Sequence, residues 1–462
     1  MKKTTLPFLL VALTGLAIAE DNVPPAGFTA LFDGKQISGW FGWGTRDPHD
    51  LLALPPEQQA EYKKQSVEGG PIVNKTNAKT GKTAEEHVNA HWKVENGELV
   101  NDGKGLYLTT DKDYGDIELL VDYKMLPNGD SGIYLRGVPQ VQIWDYTKEG
   151  GKWALGADKG SGGLWNNEKG SPGKDPLVLA DKPFGEWNHF RILMVGSRVS
   201  VWLNEKLVVD HAILENYFDK KNHTPILPKG FIQLQTHGSE IRWKNLFVRE
   251  IGSDEACKIL ASHGQEGYQS IFNGKDLDGW AMNDGKTPAS EVVKAEDGAM
   301  KWLLHKGGTP YWNTELTDFQ ARVDFKLPPG GNNGLAVRYP GHGNTAYDGM
   351  CEIQVLDDNY EKVRGKIDPR QAHGSAYGMV AAARGYQHPI GEWNFEEITI
   401  KGPKIKVELN GSVILDCDLS KVDMETVMAK SKHPGKDRPS GFFGFAGHSD
   451  PVEFKNIFIK KL

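Results

Sequence analysis

The stretch that decides the fold is DIELLVDYKMLPNGDSGIYLRG at residues 116–137, because it recurs as DFQARVDFKLPPGGNNGLAVRY at residues 318–339. In its first half apolar and polar side chains alternate with period two, as in a strand with one buried and one exposed face. PNGD at residues 127–130 then supplies residues that favour a tight turn. The segment predicts a pair of antiparallel strands that is present twice in the chain.

The repetition continues in order on both sides of this stretch. Further matches join residues 28–40 to 268–280, 141–145 to 353–357, 185–192 to 391–398, and 230–251 to 441–462. A repeating unit of about 200 residues is far longer than a solenoid repeat. The pattern therefore indicates the duplication of a whole domain.

Short alternating runs separated by turn residues, without long helical periodicity, predict an all-β fold of two tandem jelly-roll β-sandwich domains. We expect copy one at residues 27–251, a linker at residues 252–265 and copy two at residues 266–462. Copy one carries an insertion at residues 41–90 that copy two lacks. Within the insertion, the prolines at the start of residues 55–65 predict a short helix.

The N-terminal residues and the composition indicate where the protein is located and which partners it can bind. Residues 1–19 combine two lysines, an apolar run and Ala-Ile-Ala, which predicts a secretory signal peptide and a periplasmic or secreted protein. No later apolar run is long enough to span a membrane. The 462 residues carry a formal net charge of -7, which gives no electrostatic reason to bind nucleic acid. An odd count of three cysteines does not suggest a disulfide framework, although a Cys351–Cys417 bridge stays open.

Four predicted strands of copy one carry unusual side chains on the face opposite their apolar residues. A solvated sheet face is normally rich in Lys, Glu and Thr, whereas these faces carry amides, aromatic rings, His and Arg. We interpret them as a ligand platform. The residues are Asp122, Lys124, Tyr134, Arg136, Gln140, Gln142, Trp144, Gln233, Gln235 and His237, with Trp165 and Asn166 in a Gly-rich loop as further candidates to contact a sugar.

Structural roles for some of these residues remain open alternatives. In the structural alternative, Arg136 is only an ion-pair partner of Asp122, and His237 or Gln142 is only a hydrogen-bonding residue. The equivalents in copy two are Asp324, Arg338, Glu352, Gln354 and His448. Copy two has Gly444 and Ala446 in place of two amides of the platform, so we expect copy one to be the active copy.

The order and spacing of FDGK…GW, the DSGI turn, VQIWD, GEWN and the HG…KN ending, seen twice, resemble the 3-keto-disaccharide hydrolase domain family. The resemblance covers residues 27–251 and 266–462. It implies a concanavalin/laminin-G-like β-sandwich and an enzyme that cleaves glycosides whose sugar carries a ketone at carbon 3. Such a ketone acidifies the proton on carbon 2, so that the aglycone leaves by β-elimination once a base removes this proton.

This chemistry requires a base, a cation or donor at the developing oxyanion, and an acid near the leaving oxygen. We predict His237 as the base, with Asp122 as the alternative, and Arg136 or Lys124 as the cation. These residues are expected to converge with Gln142 in one cleft beside the insertion. A divalent cation on Asp, Gln and His ligands is a further possibility that no ligand spacing establishes.

Two other classes of function compete with the enzyme. A non-catalytic carbohydrate-binding protein would need only aromatic rings and amides, since the jelly roll serves both roles. A structural or partner-binding module would instead expose an apolar patch. The sequence does not identify the sugar, the linkage or the oligomeric state.

Overall fold

A computed structural model of the chain describes residues 21–76 and 83–462. The predicted signal peptide lies outside these described residues. Two β-sandwiches follow one another along the chain, which confirms the duplicated all-β fold that the repeat predicts.

The described residues of copy one contain fifteen strands. They are β1 Thr29–Ala30, β2 Trp40–Trp43, β3 Lys75–Thr76, β4 Thr83–Ala84, β5 Trp92–Glu95, β6 Glu98–Asn101, β7 Tyr107–Thr110, β8 Ile117–Met125, β9 Asp130–Leu135, β10 Val138–Trp144, β11 Asn188–Val195, β12 Arg198–Leu203, β13 Lys206–Ile213, β14 Gln233–Leu234 and β15 Ile241–Glu250. The larger sheet has the order β13-β12-β11-β8-β15-β6-β5, with β1 paired to β15, and the smaller sheet has the order β10-β9-β14-β7-β2.

Copy two repeats this plan. Its strands are β16 Gln269–Ser270, β17 Trp280–Met282, β18 Val293–Glu296, β19 Ala299–Trp302, β20 Gly307–Gly308, β21 Pro310–Trp312, β22 Phe319–Lys326, β23 Asn332–Tyr339, β24 Cys351–Leu356, β25 Asn394–Lys401, β26 Lys404–Leu409, β27 Ser412–Asp418, β28 Phe442–Phe445, β29 Gly447–His448 and β30 Glu453–Lys461. The larger sheet runs β18-β19-β30-β22-β25-β26-β27, with β16 on β30, and the smaller sheet runs β17-β21-β28-β23-β24.

Within the described residues the α-helices are few and short. They are α1 Pro48–Leu52, α2 Pro56–Glu68, α3 Val88–His91, α4 Ser253–Ser262, α5 Thr345–Asp348 and α6 Tyr360–Val363. Helix α2 begins at a proline in the insertion, as the sequence predicts. No helix in the described part of the chain is long and apolar enough to cross a membrane.

Each core lies between the two sheets of its own copy. Along β8 the side chains of Ile117, Leu119, Val121, Tyr123 and Met125 are all buried, as their period-two spacing predicts. At about 25 cal/mol per Å² of buried apolar surface, such inward rows supply most of the drive for closing a sandwich. The outward side chains of a sheet do not contribute to this core and can therefore contact a ligand.

The two copies meet through helix α4 and through polar pairs. Cys257 and Leu260 of α4 pack in one apolar cluster with Val195 of copy one and Phe395 of copy two. Arg198 of copy one donates from Nε and Nη2 to the carboxylate of Glu408 in copy two, at 2.8 and 2.6 Å. The linker is thus part of an ordered contact between the copies.

All three cysteines are free thiols. Cys351 lies on β24 of the smaller sheet, whereas Cys417 lies on β27 of the larger sheet. The bridge left open by the sequence is therefore not formed.

Candidate active site

The candidate site of copy one lies on the face of its smaller sheet that points away from the core. Along β10, Val141 and Ile143 belong to the core cluster, so Gln140, Gln142 and Trp144 point to the other face. Tyr134 of β9 and Gln233 of β14 lie opposite each other in the ladder. We call this set of side chains, with Gln235 and His237, the polar face of copy one.

This face is buried rather than open, which the sequence does not predict. Tyr134 and Gln142 are 1% and 2% exposed. The insertion covers part of the face, because Thr45 Oγ1 lies 2.8 Å from the hydroxyl of Tyr134. His237 is the exception, since 57% of its side chain is exposed. The site therefore opens toward solvent at His237.

Asp130 organises the open end of the polar face. It is the first residue of β9, directly after the turn. Its Oδ1 accepts a hydrogen bond from Gln142 Nε2 at 2.8 Å, and its Oδ2 lies 2.9 Å from His237 Nδ1. Lys152, from the loop after β10, donates to the same Oδ2. A carboxylate, an imidazole and an ammonium group thus meet at one point.

These contacts shift the pKa values of both partners. Burial alone would raise the pKa of Asp130, but the hydrogen bonds from His237 and Lys152 outweigh it and hold the pKa below the usual value. The hydrogen bond to Asp130 raises the pKa of His237, against the opposing effect of burial and of Lys152. The pair is thus electrostatically coupled, as in a base whose orientation a carboxylate fixes.

Gly132 makes the packing of the polar face possible. The ladder pairs it with Gln142, and the side chain of Gln140 passes directly over it. A Cβ at residue 132 would lie 3.0 Å from Gln140 Cδ, closer than ordinary van der Waals contact. Gln140 Nε2 can then donate to Gln142 Oε1, so that the amides form a chain leading to Asp130.

A second cluster of hydroxyl groups lies deeper on the polar face. Gln235 Nε2 lies 3.4 Å from the hydroxyl of Tyr107 and 3.5 Å from that of Tyr134, and Thr45 contacts both tyrosines. Burial raises the pKa of Tyr134, so its hydroxyl stays protonated. Within the described residues, Gln233 Oε1 and Gln235 Oε1 have no hydrogen-bond partner. The cluster offers donors and acceptors of the kind that bind sugar hydroxyls.

Aromatic rings border the same face. Trp144 and Trp165 are T-shaped, with their centroids 5.8 Å apart, and Trp144 Nε1 donates to Gly160 O. Trp165 and its neighbour Asn166 are half-buried, and the carbonyl of Asn166 accepts a hydrogen bond from Lys220. The indole N–H of Trp165 donates to Leu155 O, so the ring offers its apolar surface at the rim of the site.

Asp122 and Lys124 do not join this site, so the expected convergence is wrong for them. Both lie on β8 of the larger sheet. Asp122 lies 2.6 Å from His189 Nδ1 and accepts from Asn245, while Lys124 donates to Glu98. The outer faces of the two layers point in opposite directions. Period two predicts that these residues face outward but not which layer carries them.

The expectation for Arg136 is also wrong. Its φ of 53° is left-handed, which takes its side chain out of the alternation of β9. The guanidinium is 2% exposed and donates to Gly115 O, Leu227 O and Asp116 Oδ1. It forms a structural ion pair with Asp116, rather than the pair with Asp122 that the sequence leaves open.

The second-copy residues divide in the same way. Asp324 lies on β22 of the larger sheet, where burial raises its pKa to about 6, and Arg338 pairs with Asp318 at 2.7 Å. Glu352 and Gln354 lie on β24 of the smaller sheet, and His448 lies on β29, which pairs with β20. His448 Nε2 is 3.6 Å from Glu352 Oε1.

No group of three or more His, Cys, Asp or Glu side chains is placed to hold a metal ion within residues 21–76 and 83–462. The pair formed by Asp130 and His237 supplies two such side chains. The remaining polar groups of the face are amides, hydroxyls and Lys152.

The chain matches the 3-keto-alpha-glucoside-1,2-lyase-like domain family over residues 27–249 and again over residues 267–460. The chain belongs to this family. Each match covers one sandwich.

Similar proteins span one copy. A 3-keto-disaccharide hydrolase of Bacteroides thetaiotaomicron is 27% identical over 231 residues, which are 43% of this chain and 79% of that protein. Two crystal structures of candidate glycosyl hydrolases from Parabacteroides distasonis are 25% and 27% identical. They cover 43% and 42% of this chain and 95% and 99% of their own, each with a TM-score of 0.37.

Two residues of the candidate site in copy one, Asp130 and Lys152, are not among those predicted from the sequence. Asp130 stands in PNGD, where an acidic residue is explained by the turn alone. The sequence feature that could have identified Asp130 as a site residue is its position at the start of a strand, two residues before Gly132. Lys152 lies in a Gly-rich loop without periodicity, and no sequence pattern singles it out.

Proposed function

We propose that copy one cleaves glycosides whose sugar ring carries a ketone at carbon 3. The observation that carries the proposal is the contact of His237, Asp130 and Lys152 at the open end of a face lined by amides, tyrosines and tryptophan. Membership of the 3-keto-alpha-glucoside-1,2-lyase-like family and the name of the Bacteroides relative support this substrate class.

In the proposed reaction His237 removes the proton from carbon 2. Its Nδ1 faces Asp130, which leaves Nε2 to face the substrate. The electron pair of the broken C–H bond forms an enediolate with the ketone, and Lys152 is the nearest cation to stabilise it. Asp130 acts as a positioning residue, because it fixes the tautomer and orientation of the imidazole.

Cleavage follows when the enediolate collapses. The bond from carbon 1 to the aglycone oxygen breaks, and that oxygen takes a proton from solvent at the open end of the site. Water then adds across the carbon 1–carbon 2 double bond, with hydroxyl on carbon 1 and hydrogen on carbon 2. The net reaction is hydrolysis, without the two-carboxylate arrangement of ordinary glycosidases.

A comparison of two substrates tests this proposal. The purified protein is incubated with a 4-nitrophenyl 3-keto-glucoside and with the unoxidised 4-nitrophenyl glucoside, and release of nitrophenol is followed. We expect release from the keto substrate only. Equal release from both would contradict the elimination chemistry, and sugar binding without release would favour a carbohydrate-binding protein.

We further propose that the protein is exported through the signal at residues 1–19. Mass spectrometry of protein recovered from the periplasm or medium checks this. A mature chain that begins at Glu20 is the expected result, and an unprocessed chain retained in the cytoplasm would contradict it.

A further inference from the structure

The two copies place their acidic side chain on different strands. The repeat aligns Asp130 with Asn332 and Gln140 with Glu352. Both smaller sheets have the same register here, since Gln142 pairs with Gly132 and Gln354 pairs with Gly334. Copy one therefore has a carboxylate on β9 and an amide on β10, whereas copy two has an amide on β23 and a carboxylate on β24.

In each copy a histidine contacts the carboxylate, although the carboxylate lies on a different strand. In copy one His237 uses Nδ1 to contact Asp130 at 2.9 Å. In copy two His448, at the same place in the repeat, uses Nε2 to contact Glu352 at 3.6 Å. Each copy thus keeps one histidine paired with one carboxylate, but the two rings leave opposite nitrogens for a ligand.

Glu352 occupies a prepared place on the sheet. Its side chain is 4% exposed and passes over Gly334, where a Cβ would lie 2.4 Å from Glu352 Oε1. Thr345, from helix α5, donates its hydroxyl to the other carboxylate oxygen. A carboxylate buried to this extent needs such partners, and His448, 46% exposed, connects it to solvent.

The nearby cation also changes its partner. Arg364 occupies the same place after β24 as Lys152 occupies after β10. Lys152 donates to Asp130, whereas Arg364 Nη2 donates to Asp450 Oδ1 at 3.0 Å. Since Asn332 carries no charge to attract a cation, the exchange of acid and amide is accompanied by a rearranged charge pattern around His448.

We propose that copy two is a second, independent site for a 3-keto-glycoside, in which Glu352 positions His448 as Asp130 positions His237. This inference rests on the function proposed above for copy one. It assigns His448 the role of the base, through Nδ1, and it assigns Glu352 a positioning role.

Paired substitutions separate the two sites, because each exchanges a residue for its counterpart in the other copy. Asp130→Asn gives copy one the amide of Asn332, and Glu352→Gln gives copy two the amide of Gln140. Turnover of 4-nitrophenyl 3-keto-α- and 3-keto-β-glucosides is measured for the full chain, both single variants and the double variant. Both anomers are used so that turnover by a site that accepts only one of them is detected.

We expect each single variant to retain turnover of at least one anomer and the double variant to lose a further ~10²-fold. In the Asp130→Asn background, Glu352→Gln is also expected to shift the acidic limb of the remaining pH–rate profile to lower pH, a change that loss of packing alone would not cause. An Asp130→Asn protein whose remaining turnover and pH profile are unchanged by Glu352→Gln would overturn the second site while leaving the function of copy one intact. Absence of turnover in the unsubstituted protein would instead contradict the proposed function itself.

Discussion

His237 and Asp130 form an ion pair on the smaller sheet of copy one, with Nδ1 of the imidazole 2.9 Å from Oδ2 of the carboxylate. The pair joins a half-exposed ring to a largely buried acid, 13% exposed. This geometry lets the protein fix the ring on one side while its other nitrogen remains accessible to a substrate.

The pH dependence of turnover tests the coupling of this pair. A base must be neutral, and Asp130 raises the pKa of His237 above 6.5, so the rate should fall as the pH drops through that raised value. In the Glu352→Gln background, which suppresses the contribution of copy two, Asp130→Asn should move the acidic limb of kcat/KM to lower pH, because the imidazole of His237 loses its carboxylate partner. A limb that does not move would show that His237 is not the titrating base.

The same pair should influence stability in a defined pH window. The raised pKa of His237 means that its contribution is present below 6.5 and lost as the pH rises through the raised value. The lowered pKa of Asp130 means that its contribution is present above 3.8 and lost as the pH falls through the lowered value. The contribution of both groups is therefore complete between pH 3.8 and 6.5. Urea unfolding of Asp130→Asn and the unsubstituted protein should differ most within this window, and a difference that is largest above it would contradict the coupling.

Asp122→Asn is the matched control for Asp130→Asn. Asp122 lies on β8 and contacts His189, on the outer face of the opposite layer, so kcat/KM for a 3-keto-glucoside should stay within about twofold of the unsubstituted value. A loss of turnover comparable to that of Asp130→Asn would show that Asp122 takes part in the active site.

The sequence predicts the architecture well because the repeat reveals the duplicated domain. The period-two alternation distinguishes the buried face of each strand from its outer face. It predicts the side chains of Gln142 and His237 on one face, and the structure brings them together through Asp130. The alternation does not reveal that Asp122 and Lys124 belong to the other layer, since strand order depends on long-range pairing. It also fails at Arg136, where a left-handed residue ends the strand.

Gly334→Ala tests the place that the sheet provides for Glu352. A Cβ at residue 334 would lie 2.4 Å from Glu352 Oε1, so the carboxylate must move or the strand must shift. We expect a loss of about 1–3 kcal/mol in the free energy of unfolding, measured by urea denaturation. Gly132→Ala is the matched control, since its contact with Gln140 is 3.0 Å and its effect should be smaller. Equal losses in the free energy of unfolding would show that the close contact with Glu352 does not determine the cost of Gly334→Ala.

Arg198→Ala tests the contact between the copies. Glu408 is 7% exposed on its side chain, and Arg198 holds its pKa below the usual value against the effect of burial. Removing the guanidinium leaves a buried charge without its partner, which should cost about 3–5 kcal/mol.

The control for Arg198→Ala is Lys112→Ala. Lys112 pairs with Glu250, and both side chains are more than half exposed, so its loss should cost about 0–1 kcal/mol. Thermal unfolding of both variants compares the two costs directly. A similar effect in both would contradict the assignment of Arg198 and Glu408 as a buried interdomain pair.

The most direct test of the central claim is the turnover of a 4-nitrophenyl 3-keto-glucoside by His237→Ala, measured in the Glu352→Gln background so that copy two does not contribute. His189→Ala in the same background is the control, since His189 lies on the outer face of the larger sheet. Sugar binding is followed in parallel by calorimetry with 3-keto-glucose. Loss of the base should lower kcat by about 10²–10⁴-fold while binding is largely retained, and His189→Ala should change neither. A His237→Ala protein that turns over the substrate at the rate of its parent would contradict the claim that His237 removes the carbon-2 proton.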